Sequence, residues 1–283
     1  MTDNEDGPDK PHSNRDGRSL ARVRSVSRAV AILRTFSAKQ PFLTLGEISK
    51  LAGLDAGTTR RILITLRDEG LVWQKYQKGL YSLSYRVLEL TSSIPGRITL
   101  QELIGMNLQQ LAKDSGMTVY LSIAGQTEAI CLARFLSEQA IDVRWWSEGG
   151  GMPLHCGAGP KILLAHLSTD RRQQLFAGEM KALTPKSICT PQQLEREIIK
   201  IIKQGYALSM DDVALGLSAL GMPLYNEQGE LLAAVSIAGL SPYFEGERQA
   251  ELRRILSHSL DEMTRQVSKI NPPVSSGEIN FQS

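Results

Sequence analysis

The chain has 283 residues, 42% of them apolar and 22% charged, a balance that excludes a fibrous or wholly disordered chain and favours two domains of roughly 100 to 200 residues. No apolar run reaches the roughly 18 residues of a membrane span, and residues 1–17 are rich in Asp, Asn, Gly and Pro rather than in the apolar residues of a secretory signal, so a cytoplasmic protein is expected. The net charge of +2 hides an uneven distribution: residues 18–90 hold 13 basic and 5 acidic side chains, whereas residues 1–17 hold 2 and 5 and residues 91–283 hold 17 and 20.

Residues 1–18 cannot bury a core and are expected to be a disordered tail. From Ser25, Val26, Ala29, Val30, Leu33 and Phe36 recur at helical spacing, and the helix should stop before Gln40-Pro41. Thr44 and Glu47 have the spacing of a capping box opening a short second helix with Ile48, Leu51 and Ala52 inward, closed at Gly53. Asp55 caps a third helix carrying Thr59, Ile62, Leu63 and Leu66 on one face and ending at Gly70. Residues 71–83 read as a hairpin turning at Lys78-Gly79. Three helices and a hairpin, the second and third helices joined by a Gly-containing turn, make a winged helix-turn-helix over 19–91.

Residues 92–115 read as a linker helix with Leu100, Leu103, Ile104, Leu108 and Leu111 on one face. Beyond it lie β-prone runs at Thr118–Ile123, Ala129–Phe135 and Ile141–Trp145, then helices at Pro160–Leu167, Arg171–Phe176 and Gln192–Gln204, the last closed by Gly205. Strands at Leu217–Leu224 and Leu231–Ile237 precede a final helix over Glu245–Ser268 with Leu252, Ile255, Leu256, Leu260, Met263 and Val267 aligned. This mixture predicts an α+β domain with an antiparallel sheet over 116–270 and an unstructured tail over 271–283.

The basic first module points to a polyanion. On the third helix Thr58, Arg60, Arg61 and Arg67 face away from the apolar stripe, and an Arg fork matches the O6 and N7 edge of guanine. Arg22, Arg24 and Arg28 near the first helix, with Lys75 and Lys78 on the wing, are phosphate candidates. The competing reading pairs Arg60 or Arg61 internally with Asp68, Glu69 or Glu47. In the second module Gly157-Ala158-Gly159-Pro160-Lys161 precedes a helix, which makes either an anion-binding helix start or a tight strand-to-helix turn. Trp145 or Trp146 can form an aromatic wall there, but adjacent strand residues face opposite ways, so only one does.

The chain resembles the IclR family of bacterial transcriptional regulators. The resemblance is carried by Ser25–Leu33, Leu45–Ser49, Thr58–Leu66 and Glu69–Val72, then by Pro153–Lys161, Gly205–Ala207 and Ala233–Gly239, in that order. It implies a winged-helix DNA-binding domain, a linker helix and a GAF-like effector domain. The protein is then expected to act as a homodimer or homotetramer on a palindromic operator in double-stranded DNA. Ser27, Thr44, Gly57 and Thr59 join the DNA-facing candidates; by the resemblance, Gly157, Ala158, Gly159, Ser209, Ala219, Ser236 and Ala238 line the effector pocket, and Trp145 is the candidate for its aromatic wall. Ser209, Ala219 and Ala238 depart from the more polar residues that relatives carry, which favours an effector with an apolar or aromatic body and one anionic group.

Two rivals stand beside this reading. An enzyme would use Cys156 as nucleophile with His155 beside it, but no Asp or Asn completes a known signature. A metal-responsive regulator would draw on His155, Cys156, His166 and Asp170, whose spacing matches no zinc pattern, and Cys131, Cys156 and Cys189 lack a CxxC pair. The expectation is therefore a regulator with no catalytic residue, metal, cofactor or membrane partner.

Overall fold

The computed structural model describes residues 23–37, 40–75, 79–92, 97–137 and 146–268. Both expected tails, Arg22, Lys78, Trp145, and the strand expected at Ile141–Trp145 lie outside these residues. Contacts divide the chain between Leu90 and Thr91.

In the first unit, helices α1 (Arg24–Leu33), α2 (Leu45–Ala52) and α3 (Ala56–Asp68) pack around Ile32, Leu43, Ile48, Leu63, Leu66 and Val72. The Thr44 box forms as the spacing predicts: the Glu47 N–H donates to Thr44 Oγ1 at 3.3 Å and the Thr44 N–H to Glu47 Oε2 at 2.7 Å. Gly53 ends α2 at φ +64°, a left-handed turn that glycine adopts without Cβ strain. Asp55 caps α3 by accepting from the Thr58 N–H at 2.8 Å. Strands β2 (Val72–Lys75) and β3 (Leu80–Leu83) form the expected hairpin, and a two-residue strand β1 (Leu43–Thr44) adds to β3 to make a three-stranded sheet. The apolar stripes are narrower than expected. Val26 and Val30 on α1 and Leu51 on α2 are exposed, because Ala29, Ile32, Leu33 and Phe36 already fill the buried arc of α1. Helix α4 (Val87–Ser92) follows the wing.

The second unit is built on a six-stranded antiparallel sheet of order β6-β5-β4-β9-β8-β7, from β4 (Thr118–Ala124), β5 (Glu128–Phe135), β6 (Gly151–Pro153), β7 (Ala207–Met210), β8 (Leu217–Tyr225) and β9 (Leu231–Leu240). Alternation along β4 separates two cores. Val119 and Leu121 face one that includes α5 (Arg97–Ser115) and α9 (Gly246–Val267), and Tyr120 faces another that includes α6 (Ala158–Ala165) and α8 (Pro191–Gln204). Leu100, Ile104, Leu108 and Leu111 of α5 are buried in the first of these, so the segment expected as a linker forms part of this unit's core, while Leu103 is exposed. Helix α7 (Thr169–Phe176) follows α6. The observed architecture is α+β, as the element pattern predicts.

Helix α6 is buried along its whole length, and its start lies directly on the sheet. Gly221 on β8 makes this approach possible: a Cβ there would stand 2.9 Å from the Ala158 carbonyl carbon and 3.0 Å from the Gly159 nitrogen.

Candidate functional site

On α3 the side chains of Arg60 and Arg61 are exposed, and neither forms an ion pair among the described residues. The competing internal pairing is not observed: Asp68 pairs with Arg67 at 2.9 Å, and Glu47 is engaged by Thr44. Gly57 is exposed and Thr58 half-buried at the start of the same helix. Thr59 is a correction. Its side chain is fully buried and its hydroxyl donates to the Asp55 carbonyl at 2.9 Å, so it supports the helix from inside and presents nothing to DNA. Its apolar-stripe position had already put it on the inner face. Arg24, Ser27 and Arg28 are exposed on α1, Thr44 is exposed at the α2 cap, and Lys75 is exposed at the end of β2.

In the second unit, Gly157, Ala158, Gly159, Ser209, Ala219, Ser236 and Ala238 line one pocket of about 60 Å³. Four chain segments bring them together. Gly157, at φ +85°, turns the chain from β6 into α6, β7 and β8 contribute Ser209 and Ala219, and β9 contributes Ser236 and Ala238. The aromatic wall is Trp146, stacked on Tyr120 with ring centroids 5.8 Å apart, its indole N–H donating to the Gly150 carbonyl at 2.8 Å. Tyr120 and Met152 complete the apolar side and were not foreseen. The alternation of β4 would have placed Tyr120 opposite Val119 and Leu121.

Polar groups converge on the same place. The N–H groups of Ala158 and Gly159 open α6 and have no carbonyl beneath them within the helix. Ser236 is 3% exposed and lines the pocket beside the start of α6. Behind the pocket sits a pair that the sequence did not reveal: Lys161 Nζ lies 2.5 Å from Asp212 Oδ2, with side chains 5% and 2% exposed. The other Asp212 oxygen accepts from the Ser209 hydroxyl and, at 3.3 Å, from the Gly157 N–H. A lysine in a wholly buried helix was the available signal, since such a charge persists only with a partner. Asp211, at φ +59°, holds the neighbouring loop: its carboxylate accepts from the Ser241 hydroxyl and the Gly216 N–H, which keep it below the usual carboxylate range.

The nucleophile reading of Cys156 finds no support here. Burial pushes its thiol up to about 11, and that of Cys131 up to about 12, so both stay protonated at neutral pH, unlike an activated thiolate. His155 turns to the Lys181 carbonyl, 3.1 Å from Nε2. Among the described residues no group of three or more His, Cys, Asp or Glu side chains is placed to hold a metal ion.

Residues 25–75 match the IclR helix-turn-helix domain, and residues 95–268 match the C-terminal domain of the bacterial transcriptional regulator IclR. The chain belongs to the IclR family of bacterial transcriptional regulators. It is 26% identical over 238 residues to the HTH-type transcriptional regulator XynR of Escherichia coli, covering 84% of this chain and 94% of that one. Its fold matches that of an IclR transcriptional regulator from Alicyclobacillus acidocaldarius with a TM-score of 0.71 at 24% identity, over 87% of this chain and 99% of the other. An IclR homolog from Microbacterium hydrocarbonoxydans, crystallised with 4-hydroxybenzoate, matches with a TM-score of 0.70 at 19% identity, over 85% and 99%. As an IclR-family member the protein is a DNA-binding transcriptional regulator with a C-terminal effector domain, and not an enzyme. Among the described residues no helix is long and apolar enough to cross a membrane.

Proposed function

We propose that this IclR-family regulator reads a palindromic operator through α3 and that an aromatic or largely apolar organic acid, bound in the pocket of the second unit, modulates that binding. The observation that carries the effector reading is the assembly of seven residues singled out from the sequence around one apolar pocket. Tyr120, Trp146 and Met152 offer a surface to a ring, and the first N–H groups of α6 with the Ser236 hydroxyl offer donors to one carboxylate. The structural relative that holds 4-hydroxybenzoate supports the same class of ligand. An engineered cavity that takes benzene measures roughly 150 Å³. Entry of a ring into this pocket of about 60 Å³ therefore requires its lining to move apart.

On the DNA side, Arg60 and Arg61, exposed and without an ion pair among the described residues, are the base-reading candidates, while Arg24, Arg28 and Lys75 meet phosphates. Two recognition helices about one DNA turn apart require a homodimer, or a homotetramer built from dimers.

Fluorescence anisotropy on the DNA upstream of the protein's own gene and on unrelated DNA, at two salt concentrations, tests the first half. A several-hundred-fold preference that weakens steeply with salt is expected, and Arg60→Ala should cost about 1–3 kcal/mol of specific binding. Unchanged affinity in that variant means that α3 has been misassigned. Calorimetry with 4-hydroxybenzoate and with glyoxylate tests the second half. Tight binding of glyoxylate alone overturns the apolar-acid reading.

A further inference from the structure

Helix α3 presents one more side chain that the reading of its arginines does not use. Gly57, Arg60, Arg61 and Ile64 follow one another at i, i+3, i+4 and i+7, so they share one face of the helix, and each of them is exposed. The opposite face carries Thr59, Leu63 and Leu66, which are buried. Ile64 takes no part in the core of this unit and is 43% exposed. It stands between two guanidinium groups, on the side of the helix turned away from the protein.

That face is bounded at both ends. Ala56 and Gly57 leave the first turn without bulk, which lets another backbone come close. One turn beyond Ile64, Asp68 pairs with Arg67 at 2.9 Å and Glu69 follows it, exposed, so carboxylates close the face to phosphates. Thr65, also exposed, turns its hydroxyl back to the Arg61 carbonyl at 3.2 Å. Ile64 is therefore the apolar centre of a patch whose flanking side chains are cationic. In the major groove an Arg fork matches the guanine edge, and thymine alone offers a methyl group.

We infer that Ile64 covers the C5-methyl group of a thymine close to the guanine bonded by Arg60 or Arg61, and so sets a second base of each half-site. The inference rests on the reading of α3 as the helix that enters the major groove. Ile64 lies three and four residues past Arg61 and Arg60, roughly 4.5 to 6 Å along the helix at a rise of about 1.5 Å per residue. Base pairs follow one another about every 3.4 Å. The thymine accordingly stands one or two base steps from the guanine.

Duplexes enriched from a random pool on the full-length protein supply the test DNA. Each thymine is replaced in turn by deoxyuridine, which pairs identically and lacks only the methyl group. At one thymine per half-site, one or two steps from a guanine, the replacement should weaken binding about fourfold per half-site, the loss expected on uncovering one methyl-sized apolar group. Ile64→Ala should bind the thymine and deoxyuridine duplexes equally, and Ile64→Val should keep a reduced preference for thymine. Neither variant opens the core, because Ile64 lies outside it, and the deoxyuridine series needs no variant at all. Binding that is lost in Arg60→Ala yet indifferent to deoxyuridine at every position would overturn the inference and leave the reading of α3 standing. A thymine preference that survives in Ile64→Ala would overturn it too. So would Ile64→Ala weakening both duplexes alike with the preference unchanged, which would assign Ile64 to a protein contact. Affinity untouched by both Arg60→Ala and Arg61→Ala would overturn the reading of α3 and this inference together.

Discussion

Lys161 and Asp212 face each other at 2.5 Å with almost no solvent around them, and neither charge is tolerable alone. The pair links the start of α6 to the loop after β7, and through Ser209 and Gly157 it fixes two edges of the effector pocket. Asp212→Leu should therefore destabilise the protein by about 3–5 kcal/mol, because it strands a buried ammonium, whereas Lys161→Met combined with Asp212→Leu should recover most of that loss. Urea denaturation of the two variants checks this, and equal losses in both would show that the pair contributes packing rather than charge balance. The pair was hidden in the sequence because its members lie 51 positions apart and because Asp212 follows Ser209 in what reads as a loop. Gly157, Ala158 and Gly159 were legible as a close approach at a helix start, whereas Ser209, Ala219, Ser236 and Ala238 were reached only through the family resemblance. Thr59 was readable both ways, and its place on the inner stripe outweighed its neighbours' orientation toward solvent.

At the scale of single elements, the first unit shows how local chemistry makes a fold readable. The starts of α2 and α3 are marked by side chains that accept from backbone donors within three residues, so no distant contact is needed to locate them. The strands that escaped the sequence reading, β1, β6 and β7, run for two to four residues, too short for alternation to show. The caps also set a pH dependence. The Thr44 N–H holds the Glu47 carboxyl below its ordinary range, and the Thr58 N–H does the same for Asp55. Carboxyls depressed in the folded state stabilise it above their unfolded value, about 4, and that stabilisation is lost as pH falls through the lower folded value. Acid titration followed at the Thr44 and Thr58 amides should thus show midpoints below those of model peptides, with a falling denaturation midpoint over the same range. Asp55→Asn should keep the cap and abolish the Thr58 part of the response. Titration of that amide unchanged in Asp55→Asn would remove the assignment.

For the whole molecule, regulation requires the effector site and the DNA site to share a free energy, and linkage makes that sharing symmetric. Whatever factor an organic acid imposes on operator affinity, saturating operator must impose the same factor on affinity for the acid. Paired titrations, acid into free protein and acid into the operator complex, measure both sides of the cycle. Equal acid affinity in the two states, found together with acid-sensitive DNA binding, would break the cycle and trace the DNA effect to something other than this pocket.

The strand order carries a consequence for how the protein is made. Strand β4 ends at Ala124, yet its partner β9 begins only at Leu231, and the strand between β9 and the sheet edge, β8, is also late in the chain. During synthesis the winged-helix unit, whose contacts are local, has its full sequence outside the ribosome long before the central β4–β9 pair can close. For more than a hundred residues of translation, from Ala124 to Leu231, β4 waits without the strand that pairs with its second edge. The nascent regulator thus has a prolonged interval in which holdase chaperones compete with misassociation, and slowed translation ahead of Leu231 would lengthen it.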